Sequence, residues 1–199
     1  MKKFERTDTP DFLKDKWVSF GNLYAKNRIK KPNFKFYWNQ INKKSLNHHL
    51  LPLLKAMTDN HCSYCDGFPL DRADETIDHF CPKSKEEFYA IAYQWENLYV
   101  ACAGCQGQNG KGEQYDEMLL RPDGKDYSFE KYFYYDYIQH KILVKENIDE
   151  KLRASAEITR RIFNFNDKSL CIRRRHSYER YSKELNPDLG DFAYRFILE

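Results

Sequence analysis

Two cysteine pairs, Cys62-Ser63-Tyr64-Cys65 and Cys102-Ala103-Gly104-Cys105, stand 36 residues apart. A two-residue spacer lets both thiolates of one turn reach a tetrahedral ion at about 2.3 Å, and two such knuckles complete a closed four-sulfur site of the kind Zn²⁺ takes. A closed site leaves no position for water, so the expected zinc is structural and holds together a segment with little apolar content of its own. Thiol redox chemistry is the competing reading of a Cys-x-x-Cys pair. It belongs with a strand-to-helix turn in a thioredoxin-like context, which this sequence does not offer. Cys81 and Cys171 have no partner at such spacing and read as ordinary buried thiols.

Between the knuckles lies Ile77-Asp78-His79-Phe80-Cys81-Pro82-Lys83-Ser84, and Trp95-Glu96-Asn97-Leu98 precedes the second pair. Asp78 and His79 can divide labour: an aspartate oxygen binds a hard divalent cation while the imidazole takes a proton from water that attacks phosphorus. Neighbours on a strand point to opposite faces, so this division requires a strand end or a local bend. Alone, the dipeptide would read as a surface pair with an ordinary hydrogen bond. Framed by both knuckles and Asn97, it reads as a catalytic pair.

In this order and spacing, the two knuckles, Asp78-His79, Pro82-Lys83-Ser84 and Asn97-Leu98 resemble the HNH endonuclease family in its zinc-stabilised form. More narrowly, Asp78-His79-Phe80-x-Pro82-Lys83-Ser84 with Trp95-x-Asn97-Leu98 is similar to the HNH nucleases of Septu-type and retron-associated anti-phage systems, with a weaker likeness in the tail around Ile158 to Arg175. The resemblance implies a treble-clef-like ββα-metal core. It implies hydrolysis of a nucleic-acid phosphodiester with Mg²⁺ or Mn²⁺, and an ATPase partner subunit docking on the tail or the N-terminal helix. Carried onto this chain, His79 matches the general base, Asp78 a metal ligand, and Asn97 the asparagine that orients the histidine or braces the loop. The family follows its second knuckle with a further metal ligand and then a lysine. Direct register places Gln106 at the ligand position; a two-residue insertion places Asn109 there and Lys111 at the phosphate-facing position. Three glycines within Gly107 to Gly112 disfavour an immediate helix at this point.

The elements that must carry these residues are readable in outline. Thr9-Pro10 marks a helix start, and Leu13, Trp17, Phe20 and Tyr24 form one apolar face. Leu46, Leu50, Leu53, Leu54 and Met57 form a second, interrupted by Pro52. Residues 76–80 and 98–101 are expected strands with helix over 86–95 between them, and 132–137 with 141–144 a hairpin. The last third is helical: Leu152, Ala156, Thr159 and Ile162 or Phe163 face inward. After an Asp167 cap, the inward face is Leu170, the Arg174 stem, Tyr178, Tyr181 and Leu185. The expected organisation is α+β and mainly helical: an N-terminal helical segment (1–60), the zinc-stapled core (61–125), and a hairpin with basic C-terminal helices (126–199).

Charge is segregated along the 199 residues, although the net is only +3. Residues 1–60 carry 13 basic and 5 acidic side chains, 61–150 carry 9 and 18, and 151–199 carry 11 and 7. Carboxylates gather where a metal would sit and cations on the flanks, which suits an enzyme acting on a polyanion. Lys83, Lys111, Arg173, Arg174 and Arg175 are the candidate nucleic-acid contacts, although a solvated arginine run is the plainer reading of the last three. No stretch approaches the about 20 apolar residues a bilayer span needs, so a cytoplasmic protein without membrane contact is expected. DNA is the leading substrate. An RNase using the same site and a non-catalytic zinc module that binds nucleic acid are the alternatives, because no 2′-hydroxyl sensor is legible.

Overall fold

The computed structural model describes residues 1–70 and 75–199, and shows an α+β chain of short helices and three two-stranded antiparallel sheets. A single turn α1 (Asp11–Lys14) precedes α2 (Trp17–Lys30). Thr9 does not cap it: the N-cap position is Pro10, and the Thr9 hydroxyl donates to Glu96 instead. A tight hairpin, β1 (Gln40–Ile41) and β2 (Lys44–Ser45), leads into α3 (Leu46–Met57). That helix runs through Pro52 and buries Leu46, Leu50 and Leu54, so the i, i+4, i+8 positions form the inward stripe and Leu53 stays exposed.

The centre of the fold is β3 (Glu75–His79) paired with β4 (Leu98–Cys102), with Asp78 opposite Tyr99 and His79 opposite Leu98. The expected helix between them is a short 3-10 stretch, Glu86–Ile91, followed by a turn at Trp95–Asn97. After β4 the chain makes one helical turn, α4 (Ala103–Gln106). Gly107 and Gly110 then bring the backbone back against it: a Cβ on Gly110 would lie 2.5 Å from the Cys105 carbonyl oxygen. The glycine run thus limits this helix to a turn.

The second half adds α5 (Phe129–Tyr132), the hairpin β5 (Phe133–Asp136) and β6 (Lys141–Val144), then α6 (Glu150–Ile162) and α7 (Lys168–Tyr181). Asp149 and Asp167 cap α6 and α7 by accepting from backbone N–H groups in the first turn. Leu185 lies beyond the end of α7 and is 96 % exposed, so the expected inward face stops at Tyr181. Two ionic clusters tie distant segments together, the first of them to the central hairpin. Arg6 pairs with Asp123 and donates to the carbonyls of Trp95 and Leu98. Arg195 forks onto Asp66 through Nε and Nη2, while Nη1 reaches Asp59 and Nη2 also donates to the Thr58 carbonyl. Among the described residues no helix is long and apolar enough to cross a membrane.

Candidate functional site

The four knuckle cysteines converge, with all four Sγ atoms within 4.8 Å of one another. Cys65 Sγ and Cys102 Sγ are 3.8 Å apart, the edge length of a tetrahedron whose centre sits about 2.3 Å from each corner. Backbone N–H groups of Gly67 and Cys102 donate to Cys65 Sγ and Cys62 Sγ, each at 3.3 Å. Hydrogen bonds from Cys105, Cys62 and Cys65 hold the Cys102 thiol far below its ordinary range. Sharing that thiolate pushes Cys65 and Cys105 well up. A cation is what allows all four to ionise. All four are free of disulfides, and the set can hold a metal ion such as zinc.

Beside this cluster opens a cleft of about 670 Å³ lined by Thr76, Asp78, His79, Lys83, Gln106 and Lys111, among others. Asp78 and His79 are the last two residues of β3, and both line this cleft, so the strand end supplies the geometry that a continuous strand would deny. Asp78 Oδ2 accepts from the Tyr64 hydroxyl at 2.6 Å and lies 3.2 Å from Lys111 Nζ. Burial pulls the Asp78 carboxyl above its ordinary range, against the opposing pull of Lys111 and Tyr64.

His79 is roofed by aromatics. Its ring stacks on Trp38 at 5.7 Å between centroids and meets Phe36 edge-on at 5.0 Å. Among the described residues its Nε2 is buried without a hydrogen-bond partner, whereas Nδ1 lies 3.4 Å from Lys83 Nζ. A lysine ammonium can only donate, so Nδ1 is the accepting nitrogen. Burial first, then the charge on Lys83, holds the imidazole well below its ordinary pKa and neutral at pH 7. A neutral ring with an accepting nitrogen, in a residue that lines a cleft, can accept a proton from water.

Among the described residues Asn97 makes no hydrogen bond to the histidine. Its Oδ1 accepts from the Cys81 N–H at 2.7 Å, and its Nδ2 donates to the carbonyls of Cys81 and Ile91 at 3.1 and 3.3 Å. It braces the loop that follows His79.

Of the two alternatives after the second knuckle, Gln106 lines the cleft, its Nε2 donating to the Ile77 carbonyl at 3.3 Å and leaving the amide oxygen to accept. Asn109 is exposed on a different cavity, beside Cys105 and Phe163, and its carbonyl accepts from Asn164. Asp78 with Gln106 is a sparse set of hard oxygens, the kind Mg²⁺ or Mn²⁺ takes when water fills the remaining positions.

Lys111 is turned inward rather than toward a substrate phosphate. It is fully buried, and its ammonium donates to the carbonyls of His79 and Gly112 while pairing with Asp78. The three consecutive arginines separate. Arg174 is buried and donates to the carbonyls of His140 and Phe165, Arg175 sits within an exposed helical pair with Glu179, and Arg173 is exposed beside His176 and Arg180. Sequence reasoning missed Tyr64, Phe36 and Trp38 as parts of the site. An aromatic between two thiolates, or in an unpatterned loop, carries no signal that separates it from core.

No family model matches the chain. Over 74 residues it is 30% identical to the Septu protein PtuB of Bacillus thuringiensis, a stretch covering 35% of this chain and 26% of that protein. The likeness relates part of the chain to a Septu protein and spans about a quarter of the length of that relative.

Proposed function

We propose that the chain is a metal-dependent endonuclease of the HNH type, in which β3, β4 and α4 form the ββα-metal core and the four cysteines hold a structural zinc. The observation that carries this reading is that His79, neutral and with Nδ1 as its accepting nitrogen, lines one cleft together with Asp78, both at the end of one strand. Asp78 and the Gln106 amide oxygen would hold Mg²⁺ or Mn²⁺, which supplies charge neutralisation at a phosphodiester when bound.

His79 Nδ1 accepts the proton of the attacking water. Lys83, the nearest cation to that nitrogen, is placed to shift to a phosphate oxygen. Phe36 and Trp38 keep the imidazole plane fixed and water away from its other nitrogen. The partial likeness to a Septu protein supports a role in anti-phage defence, and the resemblance of the motifs to Septu-type nucleases implies an ATPase subunit beside it.

Parallel digestion of DNA and RNA by the full chain, alone and with its co-purifying partner, tests the assignment. Cleavage that requires Mg²⁺ or Mn²⁺ and is lost in Asp78→Ala while nucleic-acid binding persists is the expected result. Binding without cleavage of either polymer would instead make the chain a non-catalytic zinc module.

A further inference from the structure

Each knuckle places one donor on the same oxygen of Asp78. Tyr64 lies between the two cysteines of the first knuckle, fully buried, and its hydroxyl reaches Oδ2 at 2.6 Å. Lys111 is tied to the second knuckle by its backbone N–H, which donates to the Cys105 carbonyl at 2.8 Å, and its Nζ lies 3.2 Å from that same Oδ2. Among the described residues no protein donor reaches Oδ1. The carboxylate is therefore gripped on one side and open on the other, the side on which a cation in the cleft would find it.

The grip on Oδ2 is stiff. The Tyr64 ring is held between Tyr99, at 5.6 Å and near-parallel, and Phe163 at the end of α6, at 4.4 Å. Tyr99 is itself the strand partner of Asp78. A phenol hydroxyl has a single proton to donate, and with the Asp78 carboxylate at 2.6 Å that proton is directed to Oδ2. Partners of this kind, one shell out from a metal, set the rotamer of the ligand and the lone pair it presents.

We propose that Tyr64 is a positioning residue for a divalent cation in the cleft. Through its hydroxyl the first cysteine knuckle fixes the rotation of the Asp78 carboxylate, which couples the four-sulfur site to the hard-metal site. The inference rests on the reading of Asp78 as a metal ligand and adds the group that orients it. Tyr64→Phe retains both ring contacts and removes only the hydrogen bond, which separates orientation from packing.

The test is a titration of the full-length, zinc-loaded chain with Mn²⁺ alone, free Mn²⁺ being read by electron paramagnetic resonance. It uses wild type, Tyr64→Phe, Asp78→Asn and the double variant, with zinc content and circular dichroism measured on each. Tyr64→Phe is expected to keep its zinc and secondary structure while weakening Mn²⁺ binding about 10- to 100-fold. Asp78→Asn is expected to weaken it at least as much, and the double variant no further, because the hydroxyl acts only through that carboxylate.

Wild-type affinity in Tyr64→Phe alongside lost affinity in Asp78→Asn would overturn the proposal and leave the metal-ligand reading intact. Fully additive losses would also overturn it, as would loss of zinc from Tyr64→Phe, which would place the hydroxyl in the service of the zinc site alone. Wild-type affinity in Asp78→Asn would remove the metal-ligand reading itself, and this inference with it.

Discussion

The side-chain amide of Asn97 pairs with both backbone groups of Cys81, accepting from its N–H at 2.7 Å and donating to its carbonyl at 3.1 Å. The backbone adds a further tie, because the Phe80 N–H donates to the Asn97 carbonyl at 2.9 Å. Asn97 thus acts as a surrogate strand residue that holds the turn after His79 closed. Both partners are buried, so Asn97→Ala leaves a donor and an acceptor unpaired and should cost about 2 to 4 kcal/mol in a urea titration. A loss below about 0.5 kcal/mol would show that water replaces the amide at no cost.

Gly21 sits in the middle of α2, where replacing glycine with alanine ordinarily gains about 1 kcal/mol. Here α2 crosses the backbone at Ala90, and a Cβ on Gly21 would lie 1.9 Å from the Ala90 carbonyl oxygen. Overpacking of this kind costs about 1 to 3 kcal/mol. Gly21→Ala is therefore expected to lower the melting temperature, and a rise would mean that the two segments separate readily.

Asp123 links the N-terminal segment to the central hairpin through Arg6, Arg121 and the Tyr99 hydroxyl. Burial raises its pKa, but Arg6 and the hydrogen bond from Tyr99 outweigh burial and hold the carboxyl below its ordinary range. The contribution to stability is therefore complete above the unfolded-state value of about 3.9 and fades as pH falls through the lower folded value. The gap in urea midpoint between wild type and Asp123→Asn should be wider at pH 7 than at pH 3. An equal gap at both would mean that the ion pair contributes nothing titratable.

Metal analysis of the purified chain should return about one zinc per chain, and Cys62→Ser should lower it together with the protection of β3 and β4 in hydrogen exchange. Cys62 Sγ also accepts from the Cys102 N–H, so the first knuckle and the end of β4 should loosen together. A Cys62→Ser protein with wild-type zinc content would rule out the four-sulfur arrangement.

Much of the placement of the candidate site was legible because it depends on spacing. The knuckles, the Asp78-His79 strand end, Asn97 and the hairpin at β5 and β6 all sit where short-range pattern places them. The inward stem of Arg174 was legible too, from its helical register with Tyr178 and Tyr181, and it is buried at 1 % exposure. What escaped depends on tertiary closure. The depth of Lys111 follows from the glycine-rich return that folds it under His79, and the Phe36 and Trp38 roof comes from a segment with no periodic pattern. Leu185 read as apolar and inward, but α7 ends before reaching it.

The central claim is that His79 is the base of a phosphodiester hydrolysis. The direct measurement is the rate of Mn²⁺-dependent cleavage of an end-labelled DNA and an end-labelled RNA by the zinc-loaded chain, alone and with any subunit that co-purifies with it, for wild type and His79→Ala. With zinc content and Mn²⁺ affinity unchanged, the variant should be slower by about 10² to 10⁴-fold. Cleavage within twofold of wild type, or a wild type that cuts neither polymer, would contradict the claim.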